Sequence, residues 1–222
     1  MTTPLALGAA GVGLVLGLIG WWWLRRHTYR VADEAELPKR AHIWVPIATT
    51  VACWLVTASL GTRWPWWVAV GPALFAVVWL VASAIDLDVA RLPNVFTLPL
   101  AGAAAVWVVL MGVLTNDWAA TGRALAAGVG LAGVNLGLSL LFRLIPPHQE
   151  GFGMGDIKLC LSLGAVVGWF GWLPLGVGYV ATFVFGGVWA IVLLVARRAG
   201  RHSAFSFGPF LAAGTIVAML IA

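Results

Sequence analysis

The sequence predicts an all-α, polytopic integral membrane protein of about eight transmembrane helices, with both termini extracytoplasmic. Three observations carry this prediction. Of 222 residues, 62% are hydrophobic and only 9% are charged, against about 25% charged in soluble domains. A soluble chain of this size has too little interior to hide so much apolar surface. The apolar residues also fall into runs of about twenty, the length a helix needs to cross a bilayer. Finally, the runs are continuous rather than alternating. That excludes barrel strands and leaves helices, whose backbone groups are satisfied within lipid.

The predicted spans cover residues 5–24, 43–60, 66–85, 95–114, 124–142, 157–172, 175–195 and 204–222. No basic stretch precedes the first run, and Arg25 and Arg26 follow it. This is the reverse of a signal peptide and sets the C-terminal end of the first helix in the cytoplasm. On that topology Arg25, Arg26, Arg30, Lys39 and Arg40 share the first cytoplasmic loop. Arg91, Arg143, Lys158, Arg197, Arg198 and Arg201 fall on the same side, and only Arg63 and Arg123 fall outside. Such an imbalance fixes orientation. Trp64, Trp66, Trp67, Trp118, Trp169 and Trp172 gather at outer helix ends and Trp21, Trp22, Trp23 and Trp44 at inner ends, as interfacial belts do. The glycine-rich run 128–137 suits close helix packing.

The net charge of +5 is thus a topology signal, and no nucleic-acid partner is expected; the lipid bilayer is. Cys53 and Cys160 lie in separate apolar runs without metal-ligand spacing, so they read as packing residues. His27, His42, His148 and His202 are scattered at helix ends and in loops, where they read as interfacial residues. Asn135 reads as a helix–helix hydrogen bond. No metal site is expected.

The acidic residues sort by depth. Asp33, Glu34 and Glu36 belong to the first cytoplasmic loop and read as a solvated face; Glu150 is in a later cytoplasmic loop and Asp117 in an outer one. Asp86, Asp88 and Asp156 stand at membrane boundaries, where an ionisable group marks a functional candidate. Asp86 closes the third span and Asp156 opens the sixth, both on the cytoplasmic side. Two carboxyls that meet at one depth share a proton, so one activates water while the other donates to a carbonyl oxygen. Helix dipoles favour the charged form at Asp156, at a helix N-terminus, over Asp86 at a C-terminus. This makes Asp156 the expected base and Asp86 the expected proton donor. Asp88, two residues from Asp86, is expected to face elsewhere, to pair with Arg91 three residues on, and to tolerate replacement by Asn. Gly151, Gly153 and Gly155 precede Asp156, and glycine admits a closely approaching substrate strand. Lys158 is expected to point away and to snorkel towards lipid phosphate.

Three motifs then stand in order. Gly153-Met154-Gly155-Asp156-Ile157-Lys158 resembles the GxGD signature of GxGD-type intramembrane aspartyl proteases. The stretch from Asp86 to Pro93-Asn94 is similar to the first-aspartate pattern of the prepilin peptidases, or type IV leader peptidases. Phe207-Gly208-Pro209-Phe210-Leu211 is similar to a segment near that family's C-terminus. The resemblance covers residues 66–222, a six-helix GxGD peptidase core, preceded by a two-helix membrane region at 1–65 with a short basic loop. It implies an aspartyl endopeptidase that removes the short basic leader of prepilin- or pseudopilin-like proteins at the cytoplasmic face of the inner membrane. In the family the cut follows a glycine just before the pilin's hydrophobic helix, with water as nucleophile. It implies Asp86 and Asp156 as the catalytic pair, supported by Gly153, Gly155, Lys158, Pro93 and Asn94.

The family's N-methylating members carry a larger insertion with two CxxC pairs. The matching loop here, 25–42, has no cysteine, so S-adenosylmethionine is expected only if methylation is retained. Two alternatives stand beside the main reading. One is a Tad/Flp- or archaellin-type relative with the same chemistry. The other is a proton-coupled transporter or channel, which predicts carboxylates nearer the bilayer midplane. The sequence leaves the oligomeric state open.

Overall fold

The structure, a computed structural model, describes residues 2–34, 36–144, 153–196 and 206–222. Among these, eight α-helices follow in order: α1 (Thr2–Leu24), α2 (Trp44–Leu60), α3 (Trp66–Val89), α4 (Asn94–Thr115), α5 (Trp118–Leu144), α6 (Met154–Phe170), α7 (Trp172–Val195) and α8 (Gly208–Ile221). A short 3-10 turn covers Ala32–Glu34. Each predicted run is a helix. Five of them, α1, α3, α4, α5 and α7, are long and apolar enough to cross a membrane. The other three helices are shorter. α2 and α6 have 17 residues each and α8 has 14, so these are roughly 25 and 21 Å long at 1.5 Å per residue. The hydrocarbon core is about 30 Å thick. The predicted start of the last span, residue 204, lies outside the described residues, as do Gly151, Glu150, His148, Arg197, Arg198, Arg201 and His202.

Helix ends follow local chemistry. Pro65 and Pro93 stand immediately before α3 and α4, where a missing N–H costs nothing. α5 starts at Trp118, ahead of the predicted 124, because Asp117 Oδ1 accepts the Ala120 N–H at 2.8 Å and caps the first turn. α3 continues past residue 85 to Val89 and stops at Ala90, in the left-handed region at φ 52°. Gly171, at φ 148°, makes the sharp break between α6 and α7 that other residues resist.

The chain divides into two compact units: residues 1–90 with Gly178–Ile221, and Arg91–Val177 with Ala222. The division runs through the sequence-read core, so Asp86 belongs to the first unit and Asp156 to the second. In the first unit, α1 lies on α2, and Thr49 Oγ1 donates to the Gly13 carbonyl at 2.8 Å. α3 packs on α1, α2 and α8.

In the second unit, α6 packs on α4 and α5. The α5–α6 crossing uses glycine. A Cβ on Gly164 would lie 2.7 Å from the Ala127 carbonyl oxygen, and one on Gly128 2.7 Å from that of Leu161. Gly130, Gly133 and Gly137 face open space, so only part of the glycine-rich run serves this crossing. Asn135 Nδ2 donates to the Leu131 carbonyl of its own helix at 2.8 Å and reaches Cys160 Sγ of α6 at 3.5 Å. Arg123 spans from α5 to the far end of α6, where its Nε donates to the Gly168 carbonyl at 2.9 Å, with a second bond to Trp169 O. It thereby satisfies carbonyls that a helix C-terminus leaves open. Trp66, Trp118 and Trp172 are exposed, as interfacial anchors should be. Trp169 is not: it is buried at 2% exposure, with its ring centroid 6.0 Å from that of Trp107. One-dimensional position cannot distinguish an indole facing lipid from one facing a neighbouring helix.

Candidate active site

Asp86 lies in the last turn of α3 and is buried. Two groups reach it from the start of α8. The Gly208 N–H donates to Asp86 Oδ2 at 2.9 Å, and the Ser206 hydroxyl donates to the Asp86 backbone carbonyl at 2.8 Å. That carbonyl also accepts the Ala90 N–H at 2.8 Å. Gly208 is the first residue of α8, and a Cβ there would lie 3.0 Å from Asp86 Oδ2. The Phe207–Leu211 motif therefore has a physical role that its sequence did not disclose: it delivers a helix N-terminus to Asp86. The dipole contrast between α6 and α3 leaves out α8, whose N-terminal N–H at Gly208 faces Asp86 as well.

Asp156 is the third residue of α6 and is also buried. Gly153 precedes the helix in an extended conformation, φ −62° and ψ 144°, which needs no glycine. A Cβ there would meet only Asp156 Oδ2, at an ordinary 3.4 Å. Gly155 differs. Its Cβ would fall 2.6 Å from Leu92 Cβ, 3.0 Å from Leu92 O and 3.1 Å from Leu92 N. The room left by the missing side chain is taken by the chain's own α3–α4 connection, where a substrate strand had been expected. Pro93 follows Leu92, and its carbonyl accepts the Phe96 N–H at 2.9 Å, starting α4. Asn94 Oδ1 accepts from Lys158 Nζ at 2.7 Å. Lys158 thus ties α6 to α4, in place of the expected reach towards lipid. Gly155, Lys158, Leu92 and Asn94 together dock the first turn of α6 against the start of α4.

Asp88 has a setting the sequence reading missed. Its carboxylate is gripped by Arg30, with Nε to Oδ2 at 2.9 Å and Nη2 to Oδ1 at 2.8 Å. Tyr29 donates its hydroxyl to Oδ2 at 2.7 Å. The ion-pair partner seen is Arg30, where the sequence suggested Arg91. A basic residue in a basic loop looks like a topology charge, and nothing local in the sequence reveals a partner 58 positions away. Removing one member of a buried pair strands the other charge and typically costs 3–5 kcal/mol. Asp88→Asn is expected to destabilise the protein by about 3 kcal/mol, read as a lowered thermal midpoint in detergent.

His27 Nδ1 and His42 Nε2 each stand 3.8 Å from the Asp88 carboxylate. Both residues are left-handed, at φ 51° and 49°. Burial and then Arg30 hold the His27 imidazole below its ordinary 6.5, with Lys39 adding to this and Asp88 opposing it. Burial holds His42 below 6.5 as well; Asp88 opposes the shift, while His27, Arg40 and Arg30 add to it. Burial and the bond to Asp88 push the Tyr29 phenol well above its ordinary 10.0. Histidines neutral in the folded state and protonated in the unfolded one favour unfolding as acid is added. Stability is therefore expected to be full above pH 6.5 and to fall as the pH drops below it. A thermal-midpoint series from pH 7.5 to 5 checks this, and His27→Gln/His42→Gln should flatten the slope. Among the described residues no group of three or more His, Cys, Asp or Glu side chains is placed to hold a metal ion.

Five long apolar helices suit a polytopic membrane protein, and buried carboxyls stand in the last turn of α3 and the first turn of α6. The sequence profile of the type IV leader peptidase family matches residues 73–196, more than half of the chain, and the chain belongs to that family. The match includes Asp86, Pro93, Asn94 and the whole Gly153–Lys158 motif; the Phe207–Leu211 motif lies beyond it. The prepilin leader peptidase/N-methyltransferase of Aeromonas hydrophila is 29% identical over 203 residues, 91% of this chain and 65% of the relative. That of Pseudomonas aeruginosa is 31% identical over 195 residues, 84% of this chain and 60% of the relative. That of Burkholderia pseudomallei is 38% identical over 141 residues, 61% of this chain and 41% of the relative. The chain thus spans at most about two thirds of the length of these relatives. No solved structure matches it.

Proposed function

We propose that the protein is a membrane-embedded aspartyl endopeptidase that removes the short basic leader of type IV prepilin-like proteins, with Asp86 and Asp156 as its catalytic pair. The observation that carries this reading is that the two motif aspartates, both within the family match, are buried carboxyls in terminal helix turns. A buried carboxyl is costly unless its site uses it. The run of basic residues supports an inner-membrane orientation with both aspartates facing the cytoplasm, the side on which the leader is presented.

In this mechanism the pair holds one proton. The ionised carboxyl takes a proton from water as its oxygen attacks the scissile carbonyl carbon, and the protonated one gives its proton to the carbonyl oxygen. The resulting gem-diol collapses when the first carboxyl protonates the leaving amine nitrogen and the second takes a diol proton. The C–N bond breaks and the pair returns to its starting state. Gly208 holds Asp86, and the Gly155–Leu92 and Lys158–Asn94 contacts hold the turn that carries Asp156. The proposal extends to cleavage alone. S-adenosylmethionine enters only with methylation, and the loop 25–42 has no counterpart of the two CxxC pairs associated with it.

The test is co-expression with each prepilin-like protein encoded in the same genome, read as a leader-sized mobility shift with sequencing of the new N-terminus. Cleavage after the residue preceding the hydrophobic helix is expected for at least one of them. Folded, membrane-inserted protein that cuts none of them would overturn the reading.

A further inference from the structure

The α1–α2 loop is organised around one buried ion pair. The Asp88 side chain is fully buried, and that of Arg30 is 4% exposed. Besides its two bonds to Asp88, Arg30 donates through Nη1 to the Leu37 carbonyl at 2.7 Å and through Nη2 to the Pro38 carbonyl at 3.0 Å. The loop therefore wraps the guanidinium, and the guanidinium presents a planar fork to the carboxylate. Tyr29 adds its hydroxyl to the same carboxylate, and His27 and His42 flank it in left-handed conformations.

All of these contacts converge on the last turn of α3. Asp86 and Asp88 are two residues apart, roughly 200° around a helix of 3.6 residues per turn. Asp88 faces the loop, and Asp86 faces the first residue of α8. Terminal turns fray when nothing holds them, and α3 stops two residues after Asp88, at left-handed Ala90. Held from opposite sides, the turn cannot rotate about the helix axis without breaking either the Arg30–Asp88 pair or the Gly208–Asp86 bond.

We propose that Arg30 is a positioning residue for the reaction: its fork on Asp88 fixes the last turn of α3, and with it the direction in which Asp86 presents its carboxyl. The proposal rests on the peptidase reading above. It turns Asp88, expected from sequence to be replaceable, into the handle by which the loop holds Asp86.

Arg30→Lys tests it, because the charge and the topology signal remain while the planar fork is lost. Per mole of folded enzyme, kcat is expected to fall about tenfold with KM within about twofold, since displaced catalytic groups lose rate steeply. Asp88→Asn should lower kcat similarly. The double variant should be no worse than the worse single one, because both remove one interaction. Independently of any substrate, hydrogen exchange at the Ala90 amide, which bonds to the Asp86 carbonyl, should be about tenfold faster in Arg30→Lys than in wild type. Unchanged exchange, additive losses of kcat, or a loss confined to KM would each overturn the proposal. A wild type that cuts no prepilin retires the peptidase reading, and with it the catalytic meaning of the clamp. Exchange that is unchanged while substrate is cut retires the clamp alone.

Discussion

Asp86→Asn and Asp156→Asn are each expected to lower leader cleavage by at least about 10³-fold, within the range that acid–base groups contribute. Asparagine keeps the size and one acceptor oxygen of aspartate, so at position 86 the Gly208 N–H retains a partner. What is lost is the proton: an amide neither takes one from water nor gives one to a carbonyl oxygen at neutral pH. Both variants should therefore reach the membrane in normal amounts and keep their thermal midpoints. The measurement is initial rate against a purified prepilin at matched enzyme, with the midpoint recorded beside it. Cleavage that survives either substitution would sink the aspartyl mechanism. The Asp88→Asn result is different in kind, because that variant loses stability along with activity.

Gly155→Ala is the second large effect. The added Cβ would lie 2.6 Å from Leu92 Cβ and close to Leu92 O and N, so it meets the root and backbone of Leu92 rather than a movable tip. Overpacking of this kind costs about 2 kcal/mol. It also displaces the turn that carries Asp156, and an error of about 1 Å in a catalytic group costs roughly 10²-fold in rate. Trimming the neighbour should not help, since Leu92→Ala retains every atom that clashes. The expected result is a rate loss of about 10²-fold in Gly155→Ala that Leu92→Ala fails to restore. Gly153→Ala, which meets only an ordinary contact, should lose far less. A restored rate in the double variant, or equal losses at 153 and 155, would show that the glycine serves the substrate instead.

The helices were legible because their signal is the length and purity of apolar runs, which tertiary context rarely overrides in a chain this apolar. Less legible was the start of α8, where the predicted run begins ahead of Gly208. The placement of Asp86 and Asp156 in terminal helix turns was legible by depth and motif. Their surroundings were not: Gly208 reaches Asp86 across 122 positions and Arg30 reaches Asp88 across 58. Neither residue type is unusual where it stands, a glycine before a proline and an arginine among other basic residues. Trp169 and Gly155 teach the same lesson at shorter range. Each was assigned to its outward environment, lipid or substrate, and each is occupied by the protein itself. A sequence shows what a residue is able to do; which neighbour claims it is decided by packing.

The bond between Gly208 and Asp86 also has a bearing on biosynthesis. A chain made from its N-terminus inserts α3 long before α8 leaves the ribosome, so Asp86 waits in the membrane without the N–H that will hold it. The hold on Asp86 is completed only when α8 has been synthesised and has docked. A nascent chain made only as far as α6 would carry both aspartates while Asp86 still lacked the Gly208 N–H.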